Sequence, residues 1–182
     1  MTGRAVCVFC SSSLAIDDRY LQLAGEVGRR IGEGGHRLVS GGGRVSMMGA
    51  VAGAVRAAGG HTLGVIPRHL VGFEVADDEA DELVVVETMR ERKARMDEAA
   101  DCFLVLPGGI GTLEEFFEVW TSLSLGMHTK PVIVLDPWGF YEPLWQLLTS
   151  MIDSGFVRAA AWQSLHRVSE VEEAFAVIDT LG

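Results

Sequence analysis

Apolar residues fall along this chain in two alternating kinds of run. AVCVFC (5–10), HRLVS (36–40), HTLGVI (61–66), ELVVV (82–86), CFLVL (102–106) and PVIVLD (131–136) are short and nearly continuous, and SLHRV (164–168) is a weaker seventh. Continuous rather than alternating runs are expected of strands covered on both faces. Between them, apolar positions return at helical spacing, which predicts helices at 17–33, 47–58, 87–100, 112–125, 141–154 and 170–180. Regular strand–helix alternation predicts an α/β fold: a parallel sheet of about seven strands with helices on both faces. Ligands of such sheets bind beyond the carboxyl ends of the strands.

The segment PRHLVGFEVADDEADE (67–82) is the longest without a clear period. Its acidic end reads most simply as a solvated surface, although a long loop beside the ligand-binding edge can also serve as a lid.

Composition changes this picture little. The 182 residues fit one domain, 1–182, and 48% apolar residues supply a core. A formal charge of −10 argues against a nucleic-acid partner, which favours a basic face. No apolar run reaches the length of a membrane span and no signal peptide precedes the first strand, so a cytoplasmic location without membrane contact is expected. Cys7 and Cys10 are formally C-x-x-C, but they lie in a strand, where residues three apart point to opposite faces. Buried free thiols, Cys102 included, are therefore expected rather than a redox pair or metal site.

Candidate chemistry collects after three strands. CSSSLAIDD (10–18) offers three hydroxyls to a ligand, or equally to its own turn, with an Asp cap following. SGGGRVSMMG (40–49) and PGGIGT (107–112) are glycine-rich turns that run into helices, an arrangement that lets backbone N–H groups approach an anion. Two such loops at one sheet edge point to a phosphorylated ligand. Neither is a P-loop, since no Gly-Lys-Ser/Thr follows. Gly41 and Gly43 fit G-x-G-x-x-G but Ser46 holds the third glycine's place, which disfavours nicotinamide and ATP-hydrolysing enzymes.

On the helix at 87–100, Met89, Lys93, Met96 and Ala100 form the inward stripe, with Arg92 beside them and Glu91, Arg95 and Glu98 outside. Lys93 reads equally as a snorkelling side chain or as a ligand contact. A buried Arg92 needs a partner anion, which a phosphate or Glu115 would provide. On the helix at 112–125, Leu113, Phe116, Phe117, Trp120 and Leu123 face the sheet, leaving Glu114, Glu115 and Glu118 off the stripe. Thr112-Leu-Glu-Glu115 matches a capping box, so Glu115 fits a helix cap. Pattern alone favours the cap, but the two uses compete: a phosphate that takes the helix N–H groups would leave Glu115 a carboxylate aimed at the ligand.

Together, MRERK, PGGIGTLEE and the upstream SGGGRVSMMG resemble the LOG ("Lonely guy") family, whose members are cytokinin riboside 5′-monophosphate phosphoribohydrolases and often carry the older label of possible lysine decarboxylase. The resemblance runs from about residue 4 to about residue 180, and both signature motifs, Arg92-Lys93 and Pro107 to Glu115, are intact. It implies a Rossmann-like doubly wound sheet, a homodimer, and hydrolysis of the N-glycosidic bond of AMP or an N6-substituted AMP to free base and ribose 5-phosphate, with neither metal nor cofactor. Carried over by motif, Arg92 and Glu115 match the catalytic pair. Lys93, Glu114 and the run Gly108, Gly109, Ile110, Gly111, Thr112 and Leu113 fall on substrate-binding positions, as do Glu74 in the loop after the third strand and Thr121. Ser12, Gly42, Gly43 and Met89 are the further candidates at the pocket, with Met47 and Met48 close by.

Four positions depart from the family pattern: Ser11-Ser12 where Gly-Ser is usual, Ser40 for Tyr, Ser46 for Gly and Arg90 for His. They lie at the pocket edge and bear on base preference rather than on reaction type. Two other functions compete. A nucleotide sensor would need phosphate loops but no Arg–Glu pair. A pyridoxal phosphate decarboxylase would need a Schiff-base lysine, and the chain offers only Lys93 and Lys130.

Overall fold

A computed structural model describes residues 3–72 and 75–181. Seven parallel strands form one sheet: β1 (Ala5–Phe9), β2 (Arg37–Ser40), β3 (His61–Pro67), β4 (Glu82–Val86), β5 (Cys102–Val105), β6 (Val132–Leu135) and β7 (Leu165–Val168), in the spatial order β4-β3-β2-β1-β5-β6-β7. Each expected strand is present, including the weak seventh. The helices are α1 (Asp18–Glu33), α2 (Ser46–Ala57), α3 (Met89–Ala99), α4 (Ile110–Ser124), α5 (Glu142–Asp153), α6 (Ala159–Gln163) and α7 (Val171–Asp179). The short α6, and a 3-10 turn at Arg68–Leu70, are additions to the expected set. Among the described residues no helix is long and apolar enough to cross a membrane.

Strand parity divides the core. Val6, Val8, Leu104, Ile133 and Leu135 pack with residues of α1, α2 and α7. Ala5, Cys7, Phe9, Phe103, Val105, Val132 and Val134 pack with Met96 of α3, Phe116 and Trp120 of α4 and Leu148 of α5. As the strand reading requires, Cys7 and Cys10 belong to opposite faces, and all three cysteines are free thiols. Burial, with Asp101 adding to it, pushes the Cys102 thiol up to about 12.

The order reverses between β1 and β5. From β1 the chain builds outward through β2, β3 and β4, then returns to β1's other edge with β5. The loops after β1 and β5 therefore diverge from a common crevice, where sheets of this kind bind ligands.

The loop after β3 is less solvated than its composition suggests. Gly43 and Ala76 form an antiparallel bridge, Arg44 N–H donates to Val75 O at 3.0 Å and Asp77 N–H donates to Gly42 O at 2.9 Å. Asp77 is buried and accepts from both terminal nitrogens of Arg56, at 2.7 and 3.3 Å. The loop is thus stitched onto the first glycine turn.

At its end, Asp81 accepts from Thr62 N–H at 2.8 Å and Thr62 Oγ1 at 2.9 Å, and these bonds hold its carboxyl below the usual range. A carboxyl depressed in the folded state stabilises above its unfolded pKa and loses that contribution as pH falls through the folded value. Asp81→Ala is expected to cost about 1 kcal/mol at neutral pH. In chemical denaturation this deficit should shrink below the ordinary carboxylate range. A pH-independent deficit would assign the cost to packing.

Candidate active site

Arg92 owes its placement to a well-defined helix start. Thr88 Oγ1 accepts from Glu91 N–H at 3.1 Å, and the Glu91 carboxylate accepts from the N–H groups of Thr88 at 3.2 Å and Glu87 at 2.8 Å. This capping box fixes the first turn of α3. Glu91, expected to be solvated, is one half of it.

Arg92 follows and turns under the sheet edge, only 5% exposed. Its Nε donates to Val65 O at 3.1 Å and its Nη2 to Gly41 O at 2.9 Å. Burying a guanidinium demands polar partners. Two backbone carbonyls serve it here, one from β3 and one from the turn after β2. Gly41 has to be glycine for this fit: a Cβ there would stand 1.9 Å from Arg92 Nη2. Its neighbour Gly42 adopts φ +74°, the left-handed region that favours glycine.

The second glycine turn departs from expectation. α4 begins at Ile110, with Gly109 as N-cap in extended conformation and no side-chain cap bond. Thr112 is therefore inside the first turn, not at its cap. Its hydroxyl lies against Gly108, where a Cβ would be 2.1 Å from Oγ1. The capping box expected from Thr112 and Glu115 is not formed, because the two glycines let the helix start earlier. By helix geometry the first-turn N–H groups have no intrahelical acceptor, and Glu115 comes one turn further along as a half-buried side chain.

These parts meet in a cleft of about 240 Å³ at the crevice between β1 and β5. Arg92, Glu115, Gly109, Ile110, Gly111, Thr112 and Ser12 line it, together with Gly41, Met48, Met96, Val8, Cys10, Ser11 and Ser13. Burial and the nearby Glu115 charge hold the Cys10 thiol far above its ordinary pKa, so it stays neutral. The serine loop mostly serves itself: Ser11 Oγ accepts from Ser13 N–H at 3.1 Å, and Ser13 Oγ from Ala15 N–H at 3.3 Å. The expected cap on α1 is present, with Asp17 accepting from Arg19 N–H. Ser46, where glycine is usual in the family pattern, takes φ +53° and donates to Ser13 O at 2.5 Å.

Other candidates lie elsewhere. Gly42 and Gly43 are buried beneath the loop after β3, and Gly108 borders a separate apolar cavity that Met47 also lines. Leu113 packs with the α3–α4 side of the core. Met89 sits at the surface with its sulfur 3.8 Å from Arg92 Nη1. Thr121 lines an apolar groove with Phe117, Trp120 and Phe156. Lys93 does not line this cleft and forms ion pairs with Glu114 and Glu118. Burial alone would lower its pKa, but hydrogen bonds to the two carboxylates outweigh this and hold it above the ordinary lysine value. Glu74 lies outside the described residues.

Sequence reasoning missed Gly41 and Met96 as cleft residues. The glycine run was visible, but the guanidinium it seats comes from 51 positions later.

A family model described as possible lysine decarboxylase matches residues 48–178. The chain is 49% identical over 169 residues to a cytokinin riboside 5′-monophosphate phosphoribohydrolase of Mycobacterium tuberculosis, covering 93% of this chain and 90% of the relative. It is 42% identical over 158 residues to an enzyme of the same name from Arabidopsis thaliana, covering 87% and 74%. Among solved structures, the molybdenum cofactor binding protein of Rippkaea orientalis superposes with a TM-score of 0.75 at 21% identity, over 100% of this chain and 98% of that one. The molybdenum cofactor carrier protein of Chlamydomonas reinhardtii gives 0.71 at 24% identity, over 98% of each chain. At these identities the likeness to the two proteins shows the fold alone.

Proposed function

The chain belongs to the cytokinin riboside 5′-monophosphate phosphoribohydrolase family, and from that membership we propose that it hydrolyses the N-glycosidic bond of AMP or an N6-substituted AMP, releasing free base and ribose 5-phosphate. The observation that carries this reading is the meeting of Arg92, Glu115 and the N-terminal turn of α4 in one cleft.

The chemistry follows from where charge develops. As the C1′–N bond breaks, the sugar becomes oxocarbenium-like and the departing purine gains electron density. Glu115 stabilises the cation and takes a proton from the water whose oxygen bonds C1′, while the C1′–N electron pair leaves with the purine, which takes its proton from solvent. Arg92, held by two backbone carbonyls, supplies a fixed positive charge that favours the electron-rich departing purine. A guanidinium gives up no proton at neutral pH, so the role is electrostatic. The N–H groups of Gly109 to Thr112 receive the 5′-phosphate, which does not react and whose binding energy positions the sugar. A carboxylate in such a cleft favours turnover over simple nucleotide sensing. Lys93, kept protonated by two carboxylates, is poorly suited to forming a Schiff base, which needs a neutral amine.

We further propose that the protein is a cytoplasmic homodimer. The free thiols accord with a reducing compartment. Ile110 at 88% exposure and Phe156 at 83% supply apolar surface for a second copy. Light scattering on the purified protein is expected to give twice the 19.6 kDa chain mass.

Incubation with a panel of nucleoside 5′-monophosphates, with free base and ribose 5-phosphate measured, tests the reaction. Equal amounts of both products are expected from AMP or an N6-substituted AMP. The corresponding unphosphorylated nucleosides should react with kcat/KM lower by about 100-fold, because remote phosphate binding is lost. Absence of base release from every nucleotide would defeat the assignment.

A further inference from the structure

Arg92 and Lys93 are consecutive on α3, and Glu114 and Glu115 are consecutive on α4. Arg92 and Glu115 line the cleft; Lys93 does not. Its ammonium is instead clasped by Glu114 and Glu118, one helical turn apart on α4. The Lys93 side chain is 17% exposed, whereas the two carboxylates are 50% and 49% exposed, so the lysine is the inner member of the cluster. A second cavity of about 40 Å³ is lined by Lys93, Glu115, Glu118 and Asp97 among others, and shares Met96 and Glu115 with the cleft. Glu115 thus borders the cleft on one side and this small cavity, shared with Lys93, on the other.

Resting on the hydrolase reading above, we propose that Lys93 is a positioning residue. By bridging Glu114 and Glu118 it locks α3 to α4 and thereby sets the geometry of Arg92 against Glu115, without touching the nucleotide. The brace works through rigid helices. A lysine held between carboxylates four residues apart fixes both the separation of the helices and their relative slide. Partly exposed ion pairs contribute little to global stability, so the expected signature is catalytic misalignment rather than unfolding.

A mutant cycle distinguishes bracing from ligand binding. Lys93→Met is expected to lower kcat about 10- to 100-fold, the scale of a small misplacement at the reacting centre. KM for AMP should stay within about threefold, and the midpoint of thermal unfolding should be nearly unchanged. Glu114→Gln/Glu118→Gln should reproduce that loss. The triple variant should be no worse than Lys93→Met alone, because all three residues act as one unit. Lys93→Arg should recover part of kcat.

Wild-type activity in the double-Gln variant would overturn the brace, and a raised KM with kcat retained in Lys93→Met would overturn it by making Lys93 a direct ligand. Wild-type protein measured in the same series separates the two ideas. If it releases base from no nucleotide, the hydrolase reading fails, and the brace is judged on the crystal structure of Lys93→Met. A shifted α3–α4 separation would support it, and an unchanged Arg92–Glu115 arrangement would end it.

Discussion

Glu115→Gln is expected to bind AMP about as tightly as the native protein while hydrolysing it about 1,000-fold more slowly, within the range that loss of a general base produces. The substitution keeps side-chain size and removes only the charge and the basic oxygen. Glutamine can orient a water, but it cannot accept its proton, and it offers no net charge to an oxocarbenium-like sugar. The fold should be retained, because the amide matches the carboxylate in size and the start of α4 at Gly109 does not depend on a side-chain cap. The phosphate seat lies one turn earlier, at Gly109 to Thr112, so binding measured by calorimetry should survive. A small gain in affinity is expected, since a negative charge near the anionic ligand has gone. Single-turnover measurements with excess enzyme would isolate the chemical step. Native-like rates in the variant would remove Glu115 from the chemistry.

The same variant bears on how far local sequence pattern can be trusted. Thr-x-x-Glu occurs at Thr88–Glu91 and again at Thr112–Glu115. At the first it forms the cap; at the second it does not. The difference lies upstream. Gly108 and Gly109 precede the second motif, and their backbone freedom lets α4 begin before Thr112, which draws the threonine inside and leaves N–H groups for a ligand. A four-residue pattern cannot report where the preceding turn will end.

The strands were far more legible, because β1, β2, β5 and β6 are apolar on both sides and need no distant partner to be recognised. Even β7 emerged from a five-residue pattern. What stayed hidden were contacts across the sheet. Asp77 in an acidic surface stretch is buried against Arg56, and the loop carrying it covers Gly42 and Gly43. The glycine run was visible as a special turn, yet only tertiary packing assigns Gly41 to a guanidinium and its neighbours to that loop.

That assignment yields a second large effect. Gly41→Ala alters no catalytic atom, yet it is expected to reduce kcat/KM by about 100-fold or more, approaching Arg92→Ala. The added methyl would fall 1.9 Å from Arg92 Nη2 and 2.9 Å from its Cζ. No side chain tolerates such contacts, so something must move. The far end of an arginine moves more readily than backbone, and the protein should therefore fold while the guanidinium leaves its seat. Leaving it breaks the bonds to Gly41 O and Val65 O and takes the fixed positive charge away from the cleft. Arg92→Ala should likewise lose turnover and stay folded. The two substitutions should not be additive: adding Gly41→Ala to Arg92→Ala should cost little further activity, since the group it would displace is already absent. Circular dichroism and thermal unfolding would confirm that all three variants are folded before kinetics are compared. Wild-type turnover in Gly41→Ala would show that the guanidinium can do its work from another position, and full activity in Arg92→Ala would show that it does none.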